Sequence, residues 1–184
     1  MLFAPDTVSG LRNAASLVNT ERDATLEDAA DLGRYLAAGE FTFASDGSAT
    51  ELEGVRSLRP RLRAVWDTVA AGPDAADVSA VVNALLGEVA ARPHLAVHHG
   101  WGWHLHMTGP EHPLPERLVA EAAMAFVDLV RSDELARLRT CAAPDCDAVL
   151  VDLSRNRSKR FCDTGNCGNR QHVAAYRARR AADT

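Results

Sequence analysis

Leu11, Ala14, Ala15 and Val18 recur at the spacing that places side chains on one face of a helix, and this pattern continues through much of the first 131 residues. Thr25 followed by Asp28 has the form of a capping box ahead of Leu26, Ala29, Ala30, Leu32 and Leu36, with Gly39 as the stop. Further helices are predicted over 50–71, which Pro60 should kink or interrupt, and over 74–92. A fifth starts at Pro115, a favoured first-turn residue, and runs through Phe126 and Leu129 to Arg131.

Between residues 93 and 107 the period falls to two. Leu95, Val97, Trp101, Trp103, Leu105 and Met107 alternate with His94, His98, His104 and His106, which predicts a hairpin turning near His98-His99-Gly100. A three-residue loop pairs Val97 with Trp101 and His94 with His104, leaving one apolar face and one imidazole face. The expectation is a packed, Trp-rich face beneath an exposed polar one. Cross-strand histidines can bind a metal, but spacing ties no carboxylate or cysteine to these four. Trp101 and Trp103 could line a ligand cavity, although core packing is the commoner fate of strand aromatics.

The last quarter of the chain reads differently. All four cysteines lie there, as Cys141-x4-Cys146 and Cys162-x4-Cys167. Two thiolates on one tight loop chelate one edge of a zinc tetrahedron, and a second loop closes the other edge with no position left open. Such a site is structural. Two disulfides are the alternative, but residues 1–6 have neither the basic nor the apolar part of a signal peptide, and no run is long enough to span a bilayer. The expected compartment is the cytoplasm, where disulfides are rare, which leaves zinc with an iron–sulfur cluster as its remaining competitor. Between the pairs, 148–152 has strand character, and 158–161 is expected to return antiparallel to it across 154–157. A helix should start at the second pair, because 169–182 lacks Pro and Gly and is rich in Ala and Arg. That helix puts Cys167 at its N-terminus, where the dipole favours a thiolate, and Gly165 and Gly168 fit loop positions that need unusual angles or room near sulfur.

Cys167-Gly-Asn-Arg170, preceded by Asp152-Leu-Ser-Arg155 and by Lys159-Arg-Phe-Cys162, resembles the CGNR-type zinc finger of bacterial proteins over residues 141–180. Leu17-Val-Asn-Thr20 resembles the signature of the ABATE domain that precedes this finger in that family. The resemblance implies a mostly helical N-terminal domain and a role among stress-induced transcription regulators, with RNA binding sometimes suggested. Departures from the family pattern are Phe161 in place of Trp, Asp163-Thr164 in place of Ser-Met, and His172 in place of Lys.

Charge sharpens this division. Residues 1–130 hold nine Arg against eighteen Asp and Glu, a balance of −9, whereas 131–184 hold eleven Lys and Arg against seven acids, a balance of +4. Over 153–182 there are eight basic residues and one acid, Asp163. A basic finger on an acidic body is the electrostatic footprint of nucleic-acid binding. The candidate contact residues are Arg155, Arg157, Lys159, Arg160, Asn169, Arg170, Gln171, Arg177, Arg179 and Arg180. Of these, Asn169 and Gln171 could read a base edge, whereas the cations suit phosphates. On the C-terminal helix, Arg170, Ala174, Arg177 and Ala181 form a stripe expected to face outward, with Val173 and Tyr176 on a neighbouring stripe expected to pack against the hairpin. Arg170 has a second reading as a brace of the zinc loop through Asp152 or loop carbonyls.

Phosphate-binding glycine loops, His-Glu-x-x-His and nucleophile elbows are all missing, so an enzyme is not expected. The resulting expectation is a mainly α protein. Residues 1–131 form a helical, sensory ABATE-like domain with one small β-hairpin, and 132–184 form a treble-clef-like finger of short β-hairpin and C-terminal helix holding one structural Zn2+. The expected function is transcription regulation by binding nucleic acid, DNA ahead of RNA, with a small-molecule effector and a homodimer as further partners and no membrane. The alternatives are an RNA-binding protein, a zinc-stabilised module that binds an acidic protein, and an enzyme using the Trp/His hairpin.

Overall fold

The computed structural model describes residues 3–42, 44–72, 74–97 and 102–182. Among these, six helices dominate and two small antiparallel hairpins interrupt them. Helix α1 (Pro5–Asp23) starts on the proline whose fixed φ suits a first turn. Helix α2 (Ala29–Ala38) is capped by Asp28, which accepts from the Asp31 N–H at 2.8 Å while Asp31 accepts from the Glu27 N–H at 2.7 Å. The reciprocal box therefore sits three residues beyond the expected Thr25–Asp28 pair, with Gly39 at the C-cap as expected. Helix α3 (Ala49–Ala70) runs unbroken through Pro60. Its proline lies exposed, where water can satisfy the carbonyl that loses its donor. Helix α4 (Ala75–Gly87), capped by Asp74, stops short of Arg92, and α5 (Leu114–Arg131) carries Pro115 in its first turn.

Helices α1, α3 and α5 enclose the core, with α4 against α3 and α5. Leu11, Val55, Val65, Phe126 and Leu129 are fully sequestered, and Trp66 meets Phe126 edge-on with centroids 5.3 Å apart. Gly10 allows α1 to approach α5 closely, because a Cβ there would stand 2.9 Å from the Ala125 Cβ. No helix among the described residues is long and apolar enough to cross a membrane.

The histidine hairpin forms, but in another register and with burial that does not follow its two faces. Strand β1 (His94–Ala96) pairs with β2 (His104–His106) so that His94 faces His106 and Ala96 faces His104, two residues away from the expected His94–His104 pair. The expected tip at His98-His99-Gly100 and the Val97–Trp101 pair lie outside the described residues. Leu95, Val97 and Trp103 are exposed at 65%, 56% and 75%, whereas His104 is buried. Trp103 therefore does not take the core position considered for it, whereas Trp66 is buried. His104 and His106 turn inward, where His106 and the strand backbone find partners, while His94 stays exposed. The His106 Nδ1 lies 3.2 Å from Glu121 Oε1, and Asp6 Oδ2 accepts from the Leu105 N–H at 3.1 Å. Burial pushes the Glu121 carboxyl up to about 7, against the hydrogen bond from the Met107 N–H.

After α5, strand β3 (Leu138–Thr140) pairs with β4 (Val149–Val151), Arg139 opposite Leu150. The expected return strand at 158–161 does not form. Asp152, fully buried, takes the Lys159 N–H at 2.9 Å and the Ser154 N–H at 3.0 Å, so a side chain does the work that a backbone ladder would have done. Although burial alone pushes its carboxyl up, the Ser154 and Lys159 hydrogen bonds and Arg139 hold it below the usual carboxylate range.

Leu138, Val149 and Val151 join the same hydrophobic core as the helices. Asn19 on α1 donates from Nδ2 to the Val149 carbonyl and accepts the Val149 N–H at Oδ1, both at 2.9 Å and both buried. The Trp66 Nε1–H donates to the Leu150 carbonyl at 3.0 Å. Asn19→Ala leaves both buried Val149 groups unsatisfied, and each such group costs about 1–3 kcal/mol. A loss of about 2–4 kcal/mol in urea unfolding, with helix content retained in the native state, is the expected result.

Candidate functional site

Hairpin β3–β4 carries Cys141 and Cys146 in its connection, and helix α6 (Cys167–Ala182) starts on Cys167, one turn of chain after Cys162. The four Sγ atoms lie within 4.8 Å of one another, the one set of three or more metal-type ligands so gathered among the described residues. Cys146 and Cys162 are 3.8 Å apart at sulfur, and Cys162 and Cys167 are 3.7 Å apart. Tetrahedral zinc with Zn–S bonds of about 2.3 Å requires edges of about 3.8 Å. The donor set therefore fits one structural zinc, and the cysteines form no disulfide. A hairpin connection bearing one pair and a helix N-terminus bearing the other is the treble-clef arrangement.

Surrounding groups favour the thiolate at Cys162, whereas burial and then its sulfur neighbours push the Cys146 thiol up to about 12. Despite burial, which opposes it, the Cys162 thiol is brought down to about 7 by the Gly165 N–H, the Thr164 hydroxyl and its sulfur neighbours. The Cys162 N–H itself points at Cys141 Sγ, 3.4 Å away. Gly165 is required for room, since a Cβ there would lie 2.9 Å from Cys167 Sγ; the left-handed position of this loop falls on Asn166, φ +50°. Gly168 has no positive φ, and its missing side chain leaves space beside Phe161.

Arg170 is a brace of the zinc loop, although not through Asp152. Its guanidinium donates to both Asp145 oxygens, at 2.6 and 3.4 Å, and to Cys167 Sγ at 3.2 Å. The Cys167 and Asp145 contacts raise its pKa above the usual arginine value. Arg139 and not Arg170 pairs with Asp152, at 3.2 Å. From the helical body, Arg22 reaches Asp147 at 3.4 Å, and its pKa is raised first by the Cys146 thiolate, against burial, with Asp23, Cys162 and Asp147 adding to the effect.

The other candidate contact residues separate into two groups. Arg157 is tied to Glu134 at 2.9 Å, at a turn position with φ +51°, and Lys159 is tied to Asp163 at 2.6 Å. Asn169 donates to the Asn166 side chain at 2.7 Å, whereas Gln171 is half-buried. Arg155, Arg160, Arg177 and Arg179 are exposed and make no ion pair among the described residues. Arg160 lies 5.9 Å from the Phe161 ring centroid, and Arg180 is exposed. Val173 and Tyr176 do not pack against the hairpin: they are 49% and 54% exposed, because α6 leaves the finger after its first turn. At 16 residues it is about 24 Å long.

Two features of this region had no signal in the period of the sequence. Asp145, next to Cys146, is held by Arg170 25 residues on, and Arg22 reaches the zinc loop from another helix; neither belongs to a motif. A groove of about 520 Å3 also runs between α1 and the finger, lined by Arg12, Ser16, Asn19, Leu153, Lys159 and Thr164 among others.

Residues 11–133 match the model of the ABATE family, described as "putative stress-induced transcription regulator", and residues 137–180 match that of the CGNR zinc finger. No curated protein matches the chain.

Proposed function

The chain belongs to the ABATE family, with a CGNR zinc finger following the ABATE region, and from that premise we propose that it is a DNA-binding transcription regulator and not an enzyme. The observation that carries this reading is α6, a helix that starts on one cysteine of the four-sulfur cluster and is exposed from 172 to 181, with Arg177 and Arg179 on it. A helix of this width enters a major groove about 12 Å wide. Arg155 and Arg160, on loops beside the four-cysteine cluster, extend the same exposed cationic surface.

The four cations that make no ion pair among the described residues are the phosphate contacts, while Arg157, Lys159 and Arg170 shape the scaffold. Gln171 is the base reader in this scheme, because Asn169 is held by Asn166. The body, residues 1–131, is the sensory part. An effector in the groove between α1 and the finger would touch both, and a homodimer would supply the two half-sites that one short finger lacks. The cell compartment in this scheme is the bacterial cytoplasm, with stress as the signal.

Binding of the zinc-loaded chain to duplex DNA, followed across a salt series, tests the proposal. Four phosphate contacts give a log–log slope near −4, at about 0.9 per phosphate. A slope near zero, or equal affinity for an acidic polypeptide and DNA, would give priority to the protein-interaction reading. A marked preference for single-stranded or folded RNA in the same series would instead favour the RNA reading.

A further inference from the structure

The hydrogen bonds of the β3–β4 hairpin fix which backbone groups of β4 point away from it. The Cys141 N–H donates to the Ala148 carbonyl and the Asp152 N–H to the Arg137 carbonyl, both at 2.8 Å. In this register Ala148, Leu150 and Asp152 face β3, so the N–H and C=O of Val149 and Val151 point outward from the free edge of β4. Asn19 on α1 takes both groups of Val149. Among the described residues nothing takes those of Val151, although Val151 is buried. The reason lies in α1. One turn before Asn19 the helix presents Ala15 and Ser16, whose side chains are too short to repeat the reach of the asparagine.

The space so left is the groove of about 520 Å3 between α1 and the finger, which Ala15, Ser16, Asn19 and Val151 all line. A buried donor and acceptor without partners cost stability, and a ligand that satisfies both recovers it. Because Asn19 already holds Val149, the edge has room for one amide and not for a longer strand. Charge completes the recognition. Arg12 precedes Ser16 by one turn of α1, and neither side chain makes a hydrogen bond or an ion pair among the described residues. Lys159 lines the same groove, held by Asp163 in an exposed pair that exchanges readily. Two cations and one anion leave the lining at +1, which one carboxylate neutralises and a phosphate dianion overshoots. We propose that this groove binds the carboxyl end of a peptide-like ligand, its last amide on the N–H and C=O of Val151 and its carboxylate on Arg12, Ser16 and Lys159.

This inference deepens the effector reading of the groove and rests on it. An acylated amino acid and the C-terminus of a protein present the same two groups, an amide and a carboxylate one carbon apart. Either would touch α1, β4 and the loop from Lys159 to Thr164 at once. That loop belongs to the metal centre, since the Thr164 hydroxyl lies 3.8 Å from Cys162 Sγ. Occupancy of the groove would therefore be felt by the helical body and by the zinc loop together.

The experiment titrates the full-length, zinc-loaded chain with acetyl-alanyl-leucine, followed by 1H–15N NMR in the absence of DNA. Saturable shifts of the Val151 and Ser16 amides, with a Kd of about 1 mM or tighter, are the expected result. Butyrate lacks the amide and the C-terminally amidated dipeptide lacks the carboxylate, so each should bind at least about tenfold more weakly. Arg12→Gln changes an exposed side chain and should weaken the dipeptide by about tenfold with zinc content and melting unchanged. Ser16→Leu, which fills the groove, should abolish the shifts. A twelve-residue peptide with the same two terminal residues separates the two sources: a gain of more than about tenfold in affinity points to a protein tail, and equal affinity to a free acylated amino acid. No saturable shift at Val151 with the dipeptide, or undiminished binding to Arg12→Gln, would overturn the site. Butyrate bound as tightly as the dipeptide would overturn this ligand class and leave the effector reading standing. A dipeptide that binds as expected but leaves duplex affinity unchanged would keep the site and end the effector reading.

Discussion

Cys162→Ala is expected to abolish zinc binding at the four-cysteine site and to lower the stability of the helical body as well as the finger. Cys162 is central to the cluster: its sulfur lies 3.8 Å from that of Cys146 and 3.7 Å from that of Cys167, and its N–H points at the sulfur of Cys141. Structural zinc contributes about 10–16 kcal/mol of binding free energy in finger peptides, as much as the entire net stability of an ordinary domain. Loss of the metal should release α6 and the β3–β4 connection. Because Leu138, Val149 and Val151 sit in the body's core, the damage should travel beyond the finger. Elemental analysis, thermal unfolding and Trp66 fluorescence measure the three levels, Trp66 being hydrogen-bonded to β4 itself. Full zinc content with an unshifted melting curve would refute the ligand assignment. Zinc lost without any shift in melting would spare the ligands and refute the energetic union of the two regions.

Reversing Arg155, Arg177 and Arg179 to Glu should weaken duplex binding by about 100-fold or more at moderate salt and bring the salt slope towards zero. These side chains are exposed and make no ion pair among the described residues, so the effect falls on binding and leaves folding and zinc content intact. Arg157→Glu is the informative contrast. Its partner is Glu134, which also holds Arg137 at 2.8 Å, so the change places like charges together and should cost stability more than affinity. Unchanged affinity for both DNA and RNA in the triple variant, with zinc retained, would move the interface away from α6 and put the protein-interaction reading first.

The sequence made the helices and the metal legible because both depend on local spacing. The apolar period located α1, α3 and α5 within a few residues, and the paired cysteines need only loop geometry to meet. What escaped depends on partners far along the chain. Strand β3, Leu138-Arg-Thr140, is too short for a period, and 158–161 looked like the better partner until the buried carboxylate of Asp152 captured the Lys159 N–H. Alternation in the histidine hairpin showed two faces but not which one turns inward. Hydropathy favoured the tryptophan face; Glu121 and Asp6, fifteen and ninety-nine residues from their partners, hold His106 and the Leu105 backbone inward. Leu17-Val-Asn-Thr20 was recognisable as a signature, yet the task of Asn19 became visible only with Val149 beside it.

That amide has one more consequence. A two-stranded sheet leaves an outer border of N–H and C=O groups open to any passing extended chain, and natural proteins cover such borders. The carboxamide of Asn19 covers this one, occupying both outward groups of Val149 as a neighbouring peptide unit would. Helix α1 thus acts as a guard against strand recruitment. A finger expressed without residues 1–131 would lose that guard and bare the side chains of Leu138, Val149 and Val151 together, so the isolated piece should self-associate through β4 even with its zinc in place.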